Sequence, residues 1–280
     1  MSDKWDIVIE PKRGLFEISF KELWKYRDLL TSLVKRDVVT VYKQTVLGPI
    51  WFIIQPIMTM LMFVLVFGEI AELPTDTLPQ PLFYLCGIII WNYFSECFNQ
   101  TSDTFGANQD MFGKVYFPRL IVPFSKVVSG LIKFGIQFCL FIAVFIYFII
   151  RGFEIQIDES IVLFPLFVIL MASYGLGFGL LFSSLTTKYK DLKFLIQFAV
   201  QLVMYASIIV PFSEVEEGWK KDLLFLNPIL HVVEGFRYVF LGKGVLTLEG
   251  MFYSVGLAVV VLFFGILVFN KTERNFIDTV

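Results

Sequence analysis

Few residues of this chain have the types and spacing that catalysis requires. His231 and Glu234 lie three positions apart and would share one face of a helix, as a general acid and base do. The sequence offers this pair no evident third partner, so the alternative is a histidine that is hydrogen-bonded within a short helix. Residues 242–244, Gly-Lys-Gly, lack the upstream glycine of a phosphate-binding P-loop. We therefore expect a chain without a P-loop ATP site and, on the second interpretation, without catalytic residues.

Metal chemistry has little support in the sequence. The chain has one His and three Cys, and Cys86, Cys97 and Cys139 lie in apolar runs without the Cys-x-x-Cys spacing of metal or redox motifs. Thiols in such surroundings usually fill space in a hydrophobic core. We expect three packing thiols, no metal site and no cofactor bound by this chain itself.

Two charged residues, Glu96 and Lys133, lie inside strongly apolar segments. Each would cost about 2.5–3.5 kcal/mol at the centre of a bilayer if it faced lipid unpaired. Lys133 lies either deep in the membrane or near its inner interface, where a lysine extends to the headgroups. Only the second position matches the depth of Glu96. Two roles remain open for these charges, a structural or interfacial one and the lining of a polar path that contacts an anionic substrate.

Aromatic residues make up 18% of the chain and include 33 Phe. Five of them cluster toward the outer end of one apolar segment: Phe83, Tyr84, Trp91, Tyr93 and Phe94. Such a cluster forms either an interfacial aromatic belt or a surface on which sugars stack. Both interpretations predict exposed rings. The candidate channel or substrate contacts are Trp91, Tyr93, Phe94, Glu96 and Lys133.

The elements that carry these residues are predicted to be membrane helices. Hydrophobic residues make up 57% of the chain and the mean hydropathy is +0.74, which excludes an ordinary soluble domain. A spanning helix needs about 20 apolar residues. Six segments qualify: residues 50–68, 82–104, 120–150, 161–185, 194–212 and 250–270. We predict an all-α polytopic membrane protein, with a cytosolic N-terminal segment over residues 1–45 and a six-span transmembrane domain over residues 46–280.

The positive charges predict the orientation of these spans. Most Lys and Arg residues fall in the N-terminal segment, in the loops after the second and fourth spans and in the C-terminal tail. Cytosolic loops are enriched in such residues, so both termini are predicted to be cytosolic. Residues 213–249, on the outer side, are too apolar for a solvated loop and are interrupted by Asn227-Pro228. We expect two short re-entrant helices there, buried in protein or lining a cavity.

The N-terminal segment is predicted to end in an amphipathic interface helix. From Phe20 to Val41, apolar residues recur at helical spacing with charged residues between them, as in helices that lie along a bilayer surface. Gly48 and Pro49 interrupt this helix, and Trp51 falls where interfacial aromatics are favoured. The chain is therefore expected to enter the membrane near Trp51.

The predicted cytosolic loop after the second span carries an apolar face of its own. Met111, Phe112, Val115 and Tyr116 share one face of a short helix that ends before Pro118. An apolar face on a short helix in water indicates contact with a partner protein. The alternative is that this face packs against the N-terminal helix of the same chain.

The order of several short motifs over residues 20–270 resembles the membrane subunits of ABC polysaccharide exporters, in the lipopolysaccharide O-antigen and teichoic acid exporter family. Each motif alone is modest, but their order and topology together are specific. The motifs are Lys35-Arg36-Asp37, Tyr42 to Pro49, Trp51, Gln55-Pro56, Leu85-Cys86-Gly87, Trp91-Asn92, Lys114 to Arg119, Pro123, Tyr189-Lys190-Asp191 and Asn227-Pro228.

The resemblance implies a transport subunit that is not itself an enzyme. In that family two copies pair around a channel, and each copy docks a separately encoded ATPase that binds ATP and Mg. The cargo is a polysaccharide carried on an undecaprenyl-type lipid diphosphate. Export of O-antigen across the bacterial inner membrane is the expected function, and export of teichoic acid or capsular polysaccharide is the alternative. Aromatic rings that line the channel would hold the sugars loosely.

The resemblance also implies a set of ATPase-docking residues, on the interface helix and on a coupling helix over residues 107–116. They are Lys35, Arg36, Asp37, Asp110, Met111, Phe112, Lys114, Val115, Tyr116 and Arg119. The expected partners are the ATPase, a second copy of this chain, the lipid-linked polysaccharide and membrane lipids, with no nucleic acid. Two further hypotheses are less favoured: an intramembrane transferase that acts on lipid-linked sugars through His231 and Glu234, and a passive channel or scaffold.

Overall fold

The computed structural model describes residues 24–44, 48–112, 117–153, 159–189 and 191–277, and the regular structure in these ranges is helical throughout. The all-α prediction is therefore confirmed for this part of the chain. Short 3-10 turns at Gly48–Ile50, Glu159–Leu163 and Phe212–Glu214 separate some helices, and a π-helical stretch at Val64–Ile70 continues α2. The helices are α1 (Arg27–Gln44), α2 (Trp51–Phe63), α3 (Gln80–Ser102), α4 (Thr104–Ala107), α5 (Gln109–Phe112), α6 (Ile121–Ile150), α7 (Phe164–Lys188), α8 (Leu192–Ile208), α9 (Trp219–Phe225), α10 (Pro228–Leu241) and α11 (Leu248–Ile277).

Four helical segments are long and apolar enough to cross a membrane, and they match the first, third, fourth and sixth predicted spans: Gly48–Ile70, Ile121–Ile150, Glu159–Thr186 and Leu248–Glu273. The predicted second span forms α3, which is long but less apolar. The predicted fifth span forms α8, which has only 17 residues. Within the described residues, length and composition therefore give four candidate spans, or five if the bent pair α9 and α10 counts as one.

The segment after α8 forms two short helices, as its sequence predicts, and they meet at 84°. Asn227 starts the second helix: its side-chain Oδ1 accepts a hydrogen bond from the Ile229 amide at 3.1 Å, and Pro228 takes the first helical position. Gly242 ends α10 in the left-handed conformation, with φ of 64°. The sequence around Asn227-Pro228 thus breaks one helix and begins the next.

Three helices, α3, α7 and α11, pack closely because glycines replace side chains at their interfaces. A Cβ atom at Gly175 would lie 2.5 Å from the Cys97 Cβ, and one at Gly179 would lie 2.5 Å from the Thr101 Cβ, so both face α3. On the opposite side of α7, a Cβ at Gly265 would lie 2.6 Å from the carbonyl oxygen of Gly177. The Gly-x-x-x-Gly spacing therefore marks close helix packing, as in other membrane helices.

The aromatic cluster of α3 is not exposed, and both of its sequence interpretations were wrong. The rings of Phe83, Tyr84, Trp91, Tyr93 and Phe94 are all buried in the main hydrophobic core, with at most 4% of each exposed. The physical reason is that α3 is contacted by α2, α6, α7, α8 and α10, which cover the face that carries these rings. Exposed rings occur on other helices, and those on α8 and α11 include Phe194, Phe198, Phe252 and Phe264.

A second hydrophobic cluster joins the segment between α3 and α6 to three other helices. Its buried members are Leu33 of α1, Phe105, Phe112, Phe117, Ile121, Val122, Leu180 of α7 and Phe269 of α11. The rings of Phe105 and Phe269 stack with centroids 4.7 Å apart. The end of α11 and the short helices α4 and α5 therefore form one packed unit.

The three thiols do not share one environment. Cys86 and Cys97 are buried in the core around α3, which confirms the prediction of packing thiols for these two. Cys139 is exposed on α6, so the prediction was wrong for that residue. An apolar neighbourhood in sequence does not distinguish the face of a helix that meets other helices from the face that meets lipid.

Candidate functional site: a charged cavity beneath the N-terminal helix

A cavity of about 320 Å³ lies where α1 crosses α2, α3 and α6. Its walls carry both charges and apolar groups, and they include Arg36, Asp37, Phe52, Glu96, Lys126 and Lys133. Two features of the fold create it: the break at Gly48 returns the chain from α1 into α2, and the first turns of α6 rise beside α1. The cavity is therefore bounded by the helix predicted to lie at the membrane surface and by three core helices.

Glu96 and Lys133 form an ion pair at one side of the cavity. The Lys133 Nζ lies 2.9 Å from the Glu96 Oε2 and 5.3 Å from the centre of the Phe52 ring. About 30% of the Glu96 side chain and 22% of the Lys133 side chain are exposed. The pairing brings the two charges to the same level of the bundle, which agrees with the second of the two positions considered for Lys133. Each charge offsets the desolvation of the other.

Asp37 connects α1 to α6 at the opposite side of the cavity. Its Oδ1 accepts a hydrogen bond from the Arg36 guanidinium at 2.9 Å, and its Oδ2 lies 2.8 Å from the Lys126 Nζ. Both the Asp37 and the Lys126 side chains are mostly buried. These contacts hold α1 against the first turns of α6.

The cavity offers charged groups that can bind an anion. Among the described residues that line it, three are cationic and two are anionic, and neither His nor Cys occurs. The excess cation and the partial exposure of the Lys133 pair would allow an anionic group to replace a carboxylate as the partner of a lysine. The ring of Phe52 and the side chains of Val38 and Ile132 provide apolar contact beside these charges.

The sequence-predicted pair of His231 and Glu234 does not form. The His231 Nε2 is hydrogen-bonded to the Phe225 carbonyl at 2.8 Å, and its ring packs on Phe225 and Tyr253. Glu234 pairs instead with Arg237, through an Oε1 to Nη1 distance of 2.7 Å. The alternative interpretation, a hydrogen-bonded histidine in a short helix, describes the structure.

The predicted docking residues divide into three groups. Lys35 is exposed on α1, while Arg36 and Asp37 line the cavity. Phe112 is only 6% exposed and packs on Phe105 and Phe117, so it does not present the apolar surface that its sequence position suggested. The remaining residues predicted for this surface, Lys114, Val115, Tyr116 and the side chain of Asp110, lie outside the described part of the structure.

The burial of Phe112 has a clear structural cause. Met111 is partly buried against the same cluster, to which α1 contributes Leu33. The Arg119 guanidinium lies 5.3 Å from the centre of the Phe112 ring and donates a hydrogen bond to the Glu273 carbonyl at 3.1 Å. Met111 and Phe112 therefore pack within their own chain, against a cluster that includes the end of α11, while Val115 and Tyr116 of the predicted face lie outside the described residues.

The substrate contacts predicted from sequence fall into two groups, one at the cavity and one in the core. Glu96 and Lys133 lie together at the cavity, whereas Trp91, Tyr93 and Phe94 are core residues. Sequence reasoning missed Lys126 and Arg237. Lys126 could have been noticed because it lies about one helical turn from the predicted cytosolic end of a span. Arg237 could have been noticed because it lies three residues after Glu234, on the same helix face.

The sequence pattern of the family described as "ABC-2 type transporter" matches residues 28–241, from α1 to the end of α10. The chain belongs to the ABC-2 type transporter family. This membership confirms the resemblance to the membrane subunits of ABC exporters. The matched region contains the cavity and both short helices of the segment after α8.

Relatives of this ABC-2 transporter chain are similar over nearly their whole length. The O-antigen export system permease protein RfbA of Myxococcus xanthus is 24% identical over 263 residues, which cover 93% of this chain and 98% of that protein. The protein of the same name from Klebsiella pneumoniae is 25% identical over 256 residues, with 90% and 94% covered. The polysialic acid transport protein KpsM of Escherichia coli is 25% identical over 250 residues, with 87% and 93% covered.

Proposed function

We propose that this chain is the channel-forming membrane subunit of an ATP-driven exporter that moves a lipid-linked polysaccharide across the bacterial inner membrane. The observation that carries the proposal is the near full-length similarity to proteins named for O-antigen export and polysialic acid transport. O-antigen carried on undecaprenyl diphosphate is the preferred cargo. The similarity to KpsM supports capsular polysaccharide as the second candidate cargo.

In this proposal the chain spans the membrane six times, with both termini in the cytosol. α3 counts as a span because its polar residues are partnered: Asn92 donates a hydrogen bond to Gln137, and Glu96 pairs with Lys133 at the cavity. The bent pair α9 and α10 is re-entrant and does not cross, since Asn227-Pro228 interrupts it. α8 is also counted as a span. Because it has only 17 residues, the bilayer would thin locally around it.

Two copies of the chain form the channel. Large apolar side chains are exposed on α2, α8 and α11, among them Met62, Leu65, Phe194, Phe198 and Phe264. In a membrane some of these face lipid, and the remainder are available to a second copy. The core around α3 and α7 is already closed within one chain, so the second copy would contact the peripheral helices.

ATP hydrolysis is supplied by a separate ATPase that holds ATP and Mg and docks near residues 103–117. Packing supports this location, because α4, α5 and Phe117 are held in place by contacts with α1, α7 and α11. Lys35 is an exposed charge on the same side. The docking surface is formed by residues around this cluster rather than by Phe112 itself.

The cavity is the proposed contact for the anionic part of the substrate. A diphosphate carries negative charge and several acceptor oxygens, and Lys133, Lys126 and Arg36 are the cations within the cavity walls. Binding would take Lys133 from Glu96, so the carboxylate would act as the competing anion that allows release.

Depletion of the chain in its host tests the function. We expect lipid-linked polysaccharide to accumulate inside the cell while the surface pool falls, and the composition of the accumulated polymer identifies the cargo. The matched control is a host whose ATPase partner cannot hydrolyse ATP, which should give the same distribution. Unchanged surface polymer would contradict polysaccharide export, and loss of polymer from both pools would indicate a synthetic role instead.

A further inference from the structure

Helix α8 differs from the other long helices in how little of it is packed. Its buried residues are Ile196, Ser207 and Ile208, and two of these three lie in its final turn. Along its length Phe194, Leu195, Phe198 and Leu202 are each at least half exposed. The helix is therefore fixed mainly by contacts at its two ends, which we call the Leu192 end and the Ile208 end.

The Ile208 end is held by a sealed set of contacts from α10 and the turn before it. The Arg237 guanidinium donates a hydrogen bond to the Ile208 carbonyl, and the Asn227 side-chain amide donates one to the Ser207 Oγ at 2.8 Å. Arg237 is itself fixed by its buried ion pair with Glu234. Because these polar groups are removed from water, separating α8 from α10 would leave the Ile208 carbonyl and a guanidinium donor without their hydrogen bond, and the contact is costly to break.

The Leu192 end is held by a different kind of contact. The Lys193 Nζ lies 2.5 Å from the Asp103 Oδ1, and 41% and 34% of the two side chains are exposed. Solvated ion pairs of this kind are weak and screened by salt, so they open and close at little cost. The two ends of α8 thus differ sharply in how easily they are released.

Asp103 lies at the junction between a core helix and the segment proposed to meet the ATPase. It separates the end of α3 at Ser102 from the start of α4 at Thr104, and its carbonyl accepts a hydrogen bond from the Ala107 amide. Gly106 of α4 lies directly beneath the pair, since a Cβ there would be 2.7 Å from the Asp103 Oδ1 and 4.0 Å from the Lys193 Nζ. A displacement of α4 would therefore change the position of the carboxylate that holds Lys193.

We propose that the Asp103–Lys193 ion pair is the contact that transmits movement of α4 and α5 to α8, which pivots about its clamped Ile208 end. Asp103 and Lys193 are positioning residues in this scheme. They contact neither the cavity nor the cargo, and they set where the Leu192 end of α8 lies. The proposal rests on the ATP-driven transport function proposed above.

A charge-reversal series in the complete transporter, with its ATPase partner, tests the transmission. We expect Lys193→Glu and Asp103→Lys each to lower surface export by about fivefold or more, the smallest effect typical of an allosteric coupling. ATP hydrolysis in isolated membranes should continue in both variants. The double variant Asp103→Lys with Lys193→Asp should restore most export, which a loss of folding at either position would not allow. Normal export in both single variants, or failure of the double variant to restore it, would overturn the proposal.

A neutral substitution separates the geometry of the pair from its charge. Gly106→Ala places a methyl group where the Asp103 carboxylate lies, and Gly106 has an ordinary helical backbone that alanine tolerates. We expect reduced export at unchanged membrane content. The matched control is Gly256→Ala in α11, where a Cβ would meet nothing. Equal export in the two variants would count against the proposal.

Distances between spin labels test the pivot itself. One label pair, at Phe194 and Leu185, reports on the Leu192 end, and a second, at Tyr205 and Ile169, reports on the Ile208 end; all four side chains are exposed. Cys139→Ser removes the exposed native thiol, and labelled chains are diluted with unlabelled copies. A non-hydrolysable ATP analogue should change the first distance and leave the second. Equal changes at both ends, or a change at neither, would overturn the pivot.

These outcomes are separable from a failure of the proposed function. If wild-type chain does not affect surface polysaccharide when it is depleted, then polysaccharide export is wrong. If wild-type chain supports export and Lys193→Glu supports it equally, then only the role of the Asp103–Lys193 pair is wrong.

Discussion

Two ion pairs among the described residues have nearly the same distance between their charges and very different surroundings. In the cavity beneath α1, the Lys133 and Glu96 charges lie 2.9 Å apart and remain partly exposed. In α10, the Arg237 and Glu234 charges lie 2.7 Å apart and are at most 2% exposed. A pair that solvent reaches can exchange one partner for a ligand, whereas a sealed pair can only be kept or broken. The difference separates a site for binding from a structural clamp.

The clamp formed by Arg237 and Glu234 also contacts more helices than the Lys133–Glu96 pair does. Arg237 lies 3.8 Å from the centre of the Phe83 ring and donates to the Ile208 carbonyl, and the Glu234 Oε2 accepts a hydrogen bond from the Val245 amide at 3.2 Å. These contacts connect α3, α8, α10 and the turn before α11. At the cavity, by contrast, Lys133 has Glu96 and the face of one ring. Loss of Arg237 should therefore affect folding, and loss of Lys133 should affect function.

The largest expected effect comes from breaking the clamp. Arg237→Met leaves the Glu234 charge buried without a partner, which should destabilise the chain by about 3–5 kcal/mol. We expect little folded chain in the membrane and a lower melting temperature in detergent. The double variant Glu234→Gln with Arg237→Met should be more stable than Arg237→Met alone, because it removes the stranded charge. A single variant as stable as wild type would show that the pair is not a clamp.

Replacement of Lys133 should change the stability of the chain less than breaking the clamp does, and should act mainly on export. Lys133→Gln should change stability by no more than about 1 kcal/mol, since the pair is solvated. Export should nevertheless fall about tenfold, the equivalent of one lost charge-assisted contact with the substrate. The measurement is surface polymer at matched membrane content of the chain. Lys133→Arg, which keeps the charge, is the control and should retain most export, and a Lys133→Gln variant that exports normally would remove the cavity from the substrate path.

Whether the sequence alone identifies the charged residues of these two ion pairs depends on where each charge lies along its helix. Glu96 and Lys133 stood out because they interrupt apolar runs, although the sequence left two depths open for Lys133. Arg237 did not stand out, because it lies in the outer segment predicted to form two short helices, and the sequence does not show which neighbours those helices meet. Only the fold of α9 and α10 against α3 and α8 places that guanidinium in the core.

The same limit explains the aromatic residues and Phe112. Sequence periodicity identifies helices and their apolar faces, but α3 is apolar around most of its surface and is covered by five neighbours. Its rings could not be assigned to core or to lipid without knowing those neighbours. For Phe112, both a partner and the chain itself were possible covers. The cluster with Phe105, Phe117 and Phe269 is formed by residues from distant parts of the sequence.

The smallest expected effect concerns the edge of the cavity. Asp37→Asn removes the carboxylate charge that holds Lys126 at 2.8 Å. Because the amide oxygen can still accept a hydrogen bond from Lys126, the cost in stability should be about 1 kcal/mol. We expect α1 to leave the first turns of α6 more often, and trypsin to cleave faster after Lys35 and Arg36 in membranes opened to the cytosolic side. Addition of salt to the wild-type chain should act in the same direction. Unchanged cleavage would show that apolar contacts through Leu33, rather than Asp37, hold α1.

The central claim is that the cavity beneath α1 receives the polysaccharide carrier, and a photo-crosslinking amino acid at Ile132 tests it most directly. Ile132 lines the cavity, is 42% exposed and lies next to Lys133. Ile150, which is exposed at the opposite end of α6, provides the control position. The account predicts a polysaccharide adduct from position 132 that is absent from position 150 and is lost when Lys133→Gln is added. Equal adducts from both positions, or none from position 132 in an actively exporting cell, would contradict it.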